Sequence, residues 1–190
     1  MTLPINWGDG TSTYRASDMN TLDAVVNAHS NALPAALVGA AVGVKTSGTA
    51  TSGTGQTQVA SYLIGASKPA VGMAFRVTVY GQQSTTSGVL TWNLRVGTAN
   101  TSADTLICAS TANVAASGGC RYEALLTCRS TGASGTVFGA SVGQGSTATG
   151  VSTATATQTV NTTVANYVTI GVAAGAGTHT VNTAVISQVT

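Results

Sequence analysis

Charged side chains are scarce in this sequence. Asp, Glu, Lys and Arg make up 6% of the 190 residues, against roughly 25% in an ordinary soluble domain. The last of them is Arg129, so the final third of the chain has no formally charged side chain. Disorder does not explain this composition, because disordered chains are rich in charge and poor in β-branched residues. A surface of hydroxyls and small side chains suits a protein that is largely covered by copies of itself or by a larger particle.

Basic clusters and long apolar runs are also missing. The net charge is +2 and the seven Lys and Arg residues are scattered between Arg15 and Arg129, which gives little support for nucleic-acid binding. The longest apolar stretch, residues 32–44, contains Pro34 and is shorter than the ~20 residues of a transmembrane helix. No basic residue precedes an apolar segment at the N-terminus, so a secretory signal is not expected. We therefore expect a protein made in the cytoplasm, with neither nucleic acid nor membrane as partner.

Cysteine is rare as well, with Cys108, Cys120 and Cys128 as its three instances. The odd count and the lack of a C-x-x-C pair argue against a disulfide framework. Neither His29 nor His179 lies near these cysteines in sequence, as a zinc site would require. We predict that the three thiols are small buried apolar groups, and we expect no metal and no cofactor.

The N-terminal part of the chain differs in character from the rest. Residues 3–33 read LPINWGDGTSTYRASDMNTLDAVVNAHSNAL and hold three of the five acidic residues. Pro4 disfavours helix around it and WGDG is a turn signal, so the first sixteen residues are predicted to be extended. Trp7 lies between turn residues and belongs to no helix or strand face, so we interpret it as an anchor that tertiary or quaternary contact buries.

One helix is predicted in this region. Ser17 is a good N-cap, Asp18 suits the first turn, and Pro34 ends or kinks the helix. An apolar stripe recurs at steps of three and four residues: Met19, Leu22, Val25, Val26, His29 and Leu33. A helix of about fifteen residues is marginal alone. The stripe must therefore pack either on its own domain or on symmetry mates or a scaffold.

The predicted organisation is an N-terminal arm and short helix over residues 1–47, a Ser/Thr/Gly-rich linker or loop over 48–58, and a β-sandwich over 59–190. Apolar and polar residues alternate in the last segment, as strands with one buried face require. The predicted strands lie within 57–65, 75–79, 89–97, 105–110, 122–130, 136–142, 152–160, 167–173 and 179–189.

Eight or nine short strands separated by Gly, Ser and Asn turns are typical of an all-β antiparallel sandwich. Eight strands in two sheets would form a jelly roll. Helical crossovers are not predicted between the strands, which excludes a parallel α/β fold. We expect residues 152–160 to form one edge strand, with Ala154, Ala156 and Val160 on one face.

Catalytic patterns are weak. The segment GASGT places Ser134 in a predicted hairpin turn and misses the spacing of a nucleophile elbow. Asp104 and Glu123 are the only acids in the sandwich, and Arg121 lies two positions before Glu123. The run GAAVGVKTSG resembles a phosphate loop in composition, but Val44 separates its glycine from Lys45. We therefore expect no enzymatic activity.

Two aromatic residues of the sandwich could bind a ligand such as a sugar. Trp92 alternates with Leu90 and Leu94, which favours a place in the core. Tyr80 adjoins the GQQSTTSG loop and is the better candidate for a ligand platform.

Two motifs resemble parts of tailed-bacteriophage virion proteins. The leader WGDG followed by ASDMNTLD is similar to the N-terminal attachment segments of such proteins, and LLTCRSTGASGTVFG (residues 125–139) is similar to a hairpin of phage jelly-roll modules. The matches cover about a quarter of the chain. The resemblance implies a homotrimeric virion protein that decorates the capsid, with the major capsid protein or another virion protein as partner.

The resemblance also implies roles for residues. The arm around Trp7, Asp9, Tyr14 and Arg15 would attach to the shell, and the helical stripe from Met19 to Leu33 would hold three copies together. The alternative is a tail-fibre or tail-tip protein that binds a host surface glycan. Either role would locate the protein in the virion, and neither role implies a catalytic residue in this chain.

Overall fold

The described part of the computed structural model is entirely β and antiparallel. It comprises residues 41–45, 49–52, 55–84, 86–147, 149–150, 152–153 and 157–189, and these contain strands and turns without a helix. The strands are β1 (Ala41–Lys45), β2 (Thr49–Ser52), β3 (Gln56–Ile64), β4 (Ala74–Gln83), β5 (Gly88–Gly97), β6 (Thr105–Val114), β7 (Gly119–Ser130), β8 (Gly135–Gly145), β9 (Thr149–Gly150), β10 (Ser152–Thr153), β11 (Gln158–Val160), β12 (Asn166–Ala174) and β13 (Thr178–Gln188). The arm and helix are predicted over residues 1–47. Residues 1–40 lie outside the described residues, and residues 41–45 form β1, which pairs with β13 in the larger sheet.

The strands form two sheets. The larger sheet has the order β1-β13-β4-β7-β8-β11, with β2 also paired to β13 and β9 to β8. The smaller sheet has the order β10-β6-β5-β12-β3. Strands distant in sequence pair with each other: β1 with β13, β3 with β12, and β4 with β7. The prediction of an all-β, two-sheet antiparallel fold is confirmed.

Strands form where the alternation of apolar and polar residues predicts them. Buried and partly exposed positions alternate through β4, β5, β7 and β8, because successive side chains of a strand point to opposite faces. In β5 the buried positions are Leu90, Trp92, Leu94 and Val96, and in β7 they include Tyr122, Ala124 and Leu126. The inner faces of the two sheets thus supply one common core.

Two segments differ from the sequence-based expectation. Residues 48–58, predicted as a linker or loop, contain β2 and the start of β3. Residues 152–160, predicted as a single edge strand, instead contain β10, which pairs with β6 in the smaller sheet, and β11, which pairs with β8 in the larger sheet. Because β6 and β8 are the last long strands at one edge of their sheets, one short Thr-rich segment can pair with first one and then the other.

Aromatic rings join the two sheets at the centre of the core. Trp92 of β5 stacks on Tyr122 of β7 with ring centroids 5.7 Å apart, and the His179 ring of β13 meets Trp92 edge-on at 6.2 Å. Glycines make room for these rings. A Cβ added at Gly143 would lie 2.9 Å from the Trp92 ring, and one added at Gly81 would lie 2.6 Å from both the His179 ring and the Thr180 carbonyl oxygen.

We predict that Gly81→Ala destabilises the sandwich by roughly 1–3 kcal/mol, the usual penalty of overpacking a filled core. The added methyl group meets a backbone carbonyl, which cannot move as a flexible side chain could. Urea unfolding measures the change. Gly119→Ala on the neighbouring strand is the control, because its Cβ would have its nearest neighbour 4.0 Å away. Equal losses in the two variants would contradict this account.

Candidate functional site

The outer face of the larger sheet carries large apolar and aromatic side chains together with arginines. Tyr80 is 46% exposed and Leu125 is 44% exposed. The strand register places outward residues of β13, β4, β7 and β8 side by side. The three rows are Ser187–Arg76–Leu125–Ala140, Val185–Thr78–Glu123–Val142 and Thr183–Tyr80–Arg121–Gln144. We call this set of residues, together with Phe138 and Arg129, the outer face.

Ring and ion contacts hold two arginines of the outer face, Arg121 and Arg129, in place. The Arg121 guanidinium lies 5.6 Å from the Tyr80 ring centroid and forms an ion pair with Glu123. The Arg129 guanidinium lies 5.0 Å from the Phe138 ring centroid. Such contacts contribute about 0.5–1 kcal/mol each at exposed sites. Their main effect is to order long side chains before a partner arrives, which lowers the entropy lost on binding.

Composition and size suit the outer face to a protein partner. Tyr, Phe and Arg are the residue types enriched in interfaces, and Arg with Tyr is common among hot spots. Four strands at about 4.8 Å spacing and about nine residues at about 3.3 Å rise give a face of roughly 570 Å², which is of the same order as the ~800 Å² that one partner buries in a standard interface. The three arginines outnumber the single glutamate, so the face favours a partner that presents carboxylates.

The two aromatic residues weighed as ligand platforms, Trp92 and Tyr80, occupy opposite environments. Trp92 is fully buried, which confirms its predicted place in the core. Tyr80 is exposed, but Arg121 covers one side of its ring. A sugar could therefore stack only on the other side of Tyr80.

A polar cluster lies buried at the centre of the sandwich. Cys120 Sγ is 3.8 Å from both ring nitrogens of His179, and Cys108 Sγ is 4.0 Å from the Tyr122 hydroxyl. All three cysteines are free and buried, as predicted. Sequence reasoning missed the approach of Cys120 to His179, because 59 residues separate them and neither belongs to a recognisable motif.

The Cys120–His179 pair is uncharged. Burial raises the pKa of the Cys120 thiol to about 12 and lowers the pKa of His179 to about 4. An activated cysteine needs the opposite, a thiol pKa depressed by a neighbouring cation. Burial likewise raises the pKa of Cys108 and Tyr122. At neutral pH the cluster therefore packs as neutral groups and holds no thiolate.

The acidic residues of the sandwich do not share a cleft. Asp104 lies in the loop between β5 and β6, where its carboxylate accepts hydrogen bonds from the Ala99 and Thr101 amides at 2.9 and 3.2 Å. Glu123 lies in the other sheet, paired with Arg121. Ser134 occupies the turn between β7 and β8. Asp104 and Glu123 are thus bound to their own neighbours and Ser134 lies in a turn, so these three side chains do not come together as catalytic groups would.

The remaining predicted site residues fall elsewhere. Residues 1–40 include Trp7, Asp9, Tyr14 and Arg15 and the whole helical stripe, and all of these lie outside the described residues. Within the described ranges, no three His, Cys, Asp or Glu side chains come together as a metal site would require, and no helix there is long and apolar enough to cross a bilayer.

Comparisons with known proteins assign no family. The sequence matches no protein-family model and no curated protein.

We predict that His179 makes the fold sensitive to mild acid. The unfolded imidazole takes up a proton as the pH falls through about 6.5, whereas the folded one does so only near pH 4. Protonation thus favours the unfolded state in this window, so stability should fall by roughly 2–3 kcal/mol between about pH 7 and about pH 4.5. Urea unfolding at both pH values measures the loss.

His179→Gln is the matched variant for this prediction. It should be less stable at neutral pH but should lack the acid-induced loss of stability that His179 causes. If the two proteins lose the same stability on acidification, His179 is not the sensor.

Proposed function

We propose that this chain is a structural protein of a tailed-bacteriophage virion, a homotrimeric decoration protein that binds and stabilises the head shell. The observation that carries the proposal is the outer face, which gathers Tyr80, Leu125 and three arginines on a body otherwise poor in charge. Tyr, Phe, Met and Arg are enriched in protein interfaces, so this concentration supports a role that depends on binding another protein.

The strand order supports a jelly-roll fold within this proposal. A jelly roll is one long hairpin rolled up, so its eight strands pair first with last, second with seventh, third with sixth and fourth with fifth. The pairs β1–β13, β3–β12, β4–β7 and β5–β6 have this nesting. On this reading, β8 to β11 are an insertion that widens the larger sheet beside β7. Jelly rolls are frequent in viral capsids and in lectins.

The proposed mechanism is burial of apolar and aromatic surface at junctions between capsid subunits. The outer face would meet an acidic patch of the major capsid protein or of another virion protein, with its ordered arginines as charge partners. The arm around Trp7 would add a second attachment, and the stripe from Met19 to Leu33 would hold the three copies. A trimer would attach through three copies of each contact at once, so its overall affinity would be high even where each individual contact is weak.

The alternative function, a tail-fibre or tail-tip protein that binds a host glycan, uses a different part of the molecule. A polar groove on the smaller sheet, lined by amide and hydroxyl side chains, favours it. One experiment distinguishes the two proposed functions. Sedimentation of the purified protein with isolated heads, but not with isolated tails, of the phage that encodes it supports decoration. The reverse supports the tail assignment, and sedimentation with neither contradicts both.

We predict that Leu125→Asp weakens attachment to particles by at least about tenfold, as expected for a residue near the centre of an interface. Val89→Asp is the matched control, because Val89 is also about half exposed but lies on the smaller sheet. Co-sedimentation with heads measures the affinity. Equal effects of the two substitutions would exclude the outer face as the attachment surface.

We predict that Trp7→Ala abolishes or strongly reduces attachment while the sandwich stays folded. The chain has two tryptophans, so the variant retains only Trp92, whose buried ring reports directly on the core. An unchanged, blue-shifted Trp92 emission together with lost co-sedimentation is the expected result. Full attachment of the variant would show that the arm is not the anchor.

A further inference from the structure

A polar groove lies on the outer side of the smaller sheet, away from the outer face of the larger one. Its volume is about 220 Å³ and its lining consists of Gln56, Gln58, Thr101, Ser102 and Thr169. These residues come from β3, from β12 and from the loop between β5 and β6. The lining contains amides and hydroxyls and no charged side chain.

Hydrogen bonds organise the groove without any ligand. Asn100 has a left-handed backbone, with φ of 56°, and its side-chain oxygen accepts hydrogen bonds from Gln58 Nε2 at 2.8 Å and from Thr169 Oγ1 at 3.0 Å. The loop is thereby tied to both β3 and β12. Asn is one of the few residues that adopt this conformation readily, so the loop is built around it.

A second set of contacts, made by Asp104 and Arg95, also holds this loop in place. The buried Asp104 carboxylate accepts hydrogen bonds from the amides of Ala99 and Thr101, and Arg95 Nη1 donates to the Asp104 carbonyl oxygen at 2.8 Å. The two charged residues beside the groove are therefore engaged with the loop backbone. A groove held on both sides is preorganised, which reduces the entropy lost when a ligand binds.

The floor of the groove depends on a glycine. Gly171 is buried on β12, and a Cβ added there would collide with the side-chain amide of Gln56. The Gln56 amide thus lies directly over the backbone of β12. Gly171 does not have a positive φ, so the need for glycine at this position comes from the close approach of Gln56 and not from the backbone conformation.

We propose that this groove binds one neutral sugar ring of a glycan. Amide and hydroxyl groups donate and accept hydrogen bonds at once, as the adjacent hydroxyls of a sugar require, and a lining without charge selects an uncharged ligand. The volume is below the 300–1,000 Å³ of sites for drug-sized molecules, which limits the ligand to about one ring. The lining has no aromatic platform, so the affinity of a single ring is in the range of about 1 mM.

This proposal does not rest on shell attachment, which uses the other sheet, and the two can fail separately. The test is titration of the full-length, 15N-labelled protein with methyl glucoside, methyl galactoside and N-acetylglucosamine up to about 50 mM, followed by amide chemical shifts. Saturable shifts confined to the five lining residues and Asn100 are expected for at least one sugar. Shifts that do not saturate, or that lie elsewhere, overturn the proposal.

Two variants and one control sharpen the test. Gln58→Ala removes the link to Asn100, and Gly171→Ala displaces the flexible Gln56 side chain, so each should weaken binding by at least about fivefold. Gln144→Ala on the larger sheet is the control and should bind as the unmodified protein does. If Gly171→Ala does not fold, Gln58→Ala alone decides. Unchanged affinity in Gln58→Ala, or tighter binding of N-acetylneuraminic acid than of the neutral sugars, would overturn the assignment.

Discussion

The contact on which the rest of the structure depends is the stack of Trp92 on Tyr122. The two rings come from opposite sheets and lie 18° from parallel with centroids 5.7 Å apart. Large rings can meet at the centre only where small residues face them. Gly143 leaves space for the Trp92 ring, and Gly81 leaves space for the neighbouring His179 ring. The stack therefore sets which residues of β4, β5, β7 and β8 point inward. Because side chains alternate along a strand, it also sets which residues form the two outer surfaces.

The same core excludes charge. Four buried side chains of the core can ionise in principle, but burial keeps them neutral near pH 7: His179, Cys120, Cys108 and Tyr122. Ionised groups lie instead where water or backbone groups can stabilise them. Arg76, Arg121 and Arg129 lie on the outer face of the larger sheet, whereas Arg95 and Asp104 are engaged with the loop backbone beside the groove. The sandwich consequently has two chemically distinct sides. The outer face carries aromatic rings and guanidinium groups, and the smaller sheet carries a groove lined by amides and hydroxyls as well as the exposed Leu63 and Val89.

Two sides of this kind agree with a protein that works among neighbours. A body with so little charge has weak electrostatic repulsion from its own copies, and the proposed shell attachment would use that property. The groove on the other side would remain open to a ligand when the outer face is occupied. Attachment and sugar binding are thus compatible in one molecule, and the head and tail proposals differ in which of the two surfaces carries the biological role.

The alternation along the chain was enough to predict most of the strands and much of the core. Phe75, Leu94 and Leu126 are buried where the pattern indicates, because one buried sheet face imposes a period of two residues on any strand. The pattern also indicated that Trp92 is internal. It could not indicate how residues 152–160 divide between the two sheets, since either edge satisfies the same Thr-rich alternation.

The candidate sites were much less accessible from sequence. Each residue of the outer face looked like an ordinary outward position of a strand, and the face emerged only when β4 and β7 were placed side by side. The groove depends on hydrogen bonds between Asn100 and residues 42 and 69 positions away. By itself the sequence determined the all-β class, the apolar positions of the core and the shortage of charge, because these follow from composition and local period. Strand partners and the surfaces they create were decided by the tertiary structure alone, since pairing is a property of the whole chain's free energy and leaves no local signal.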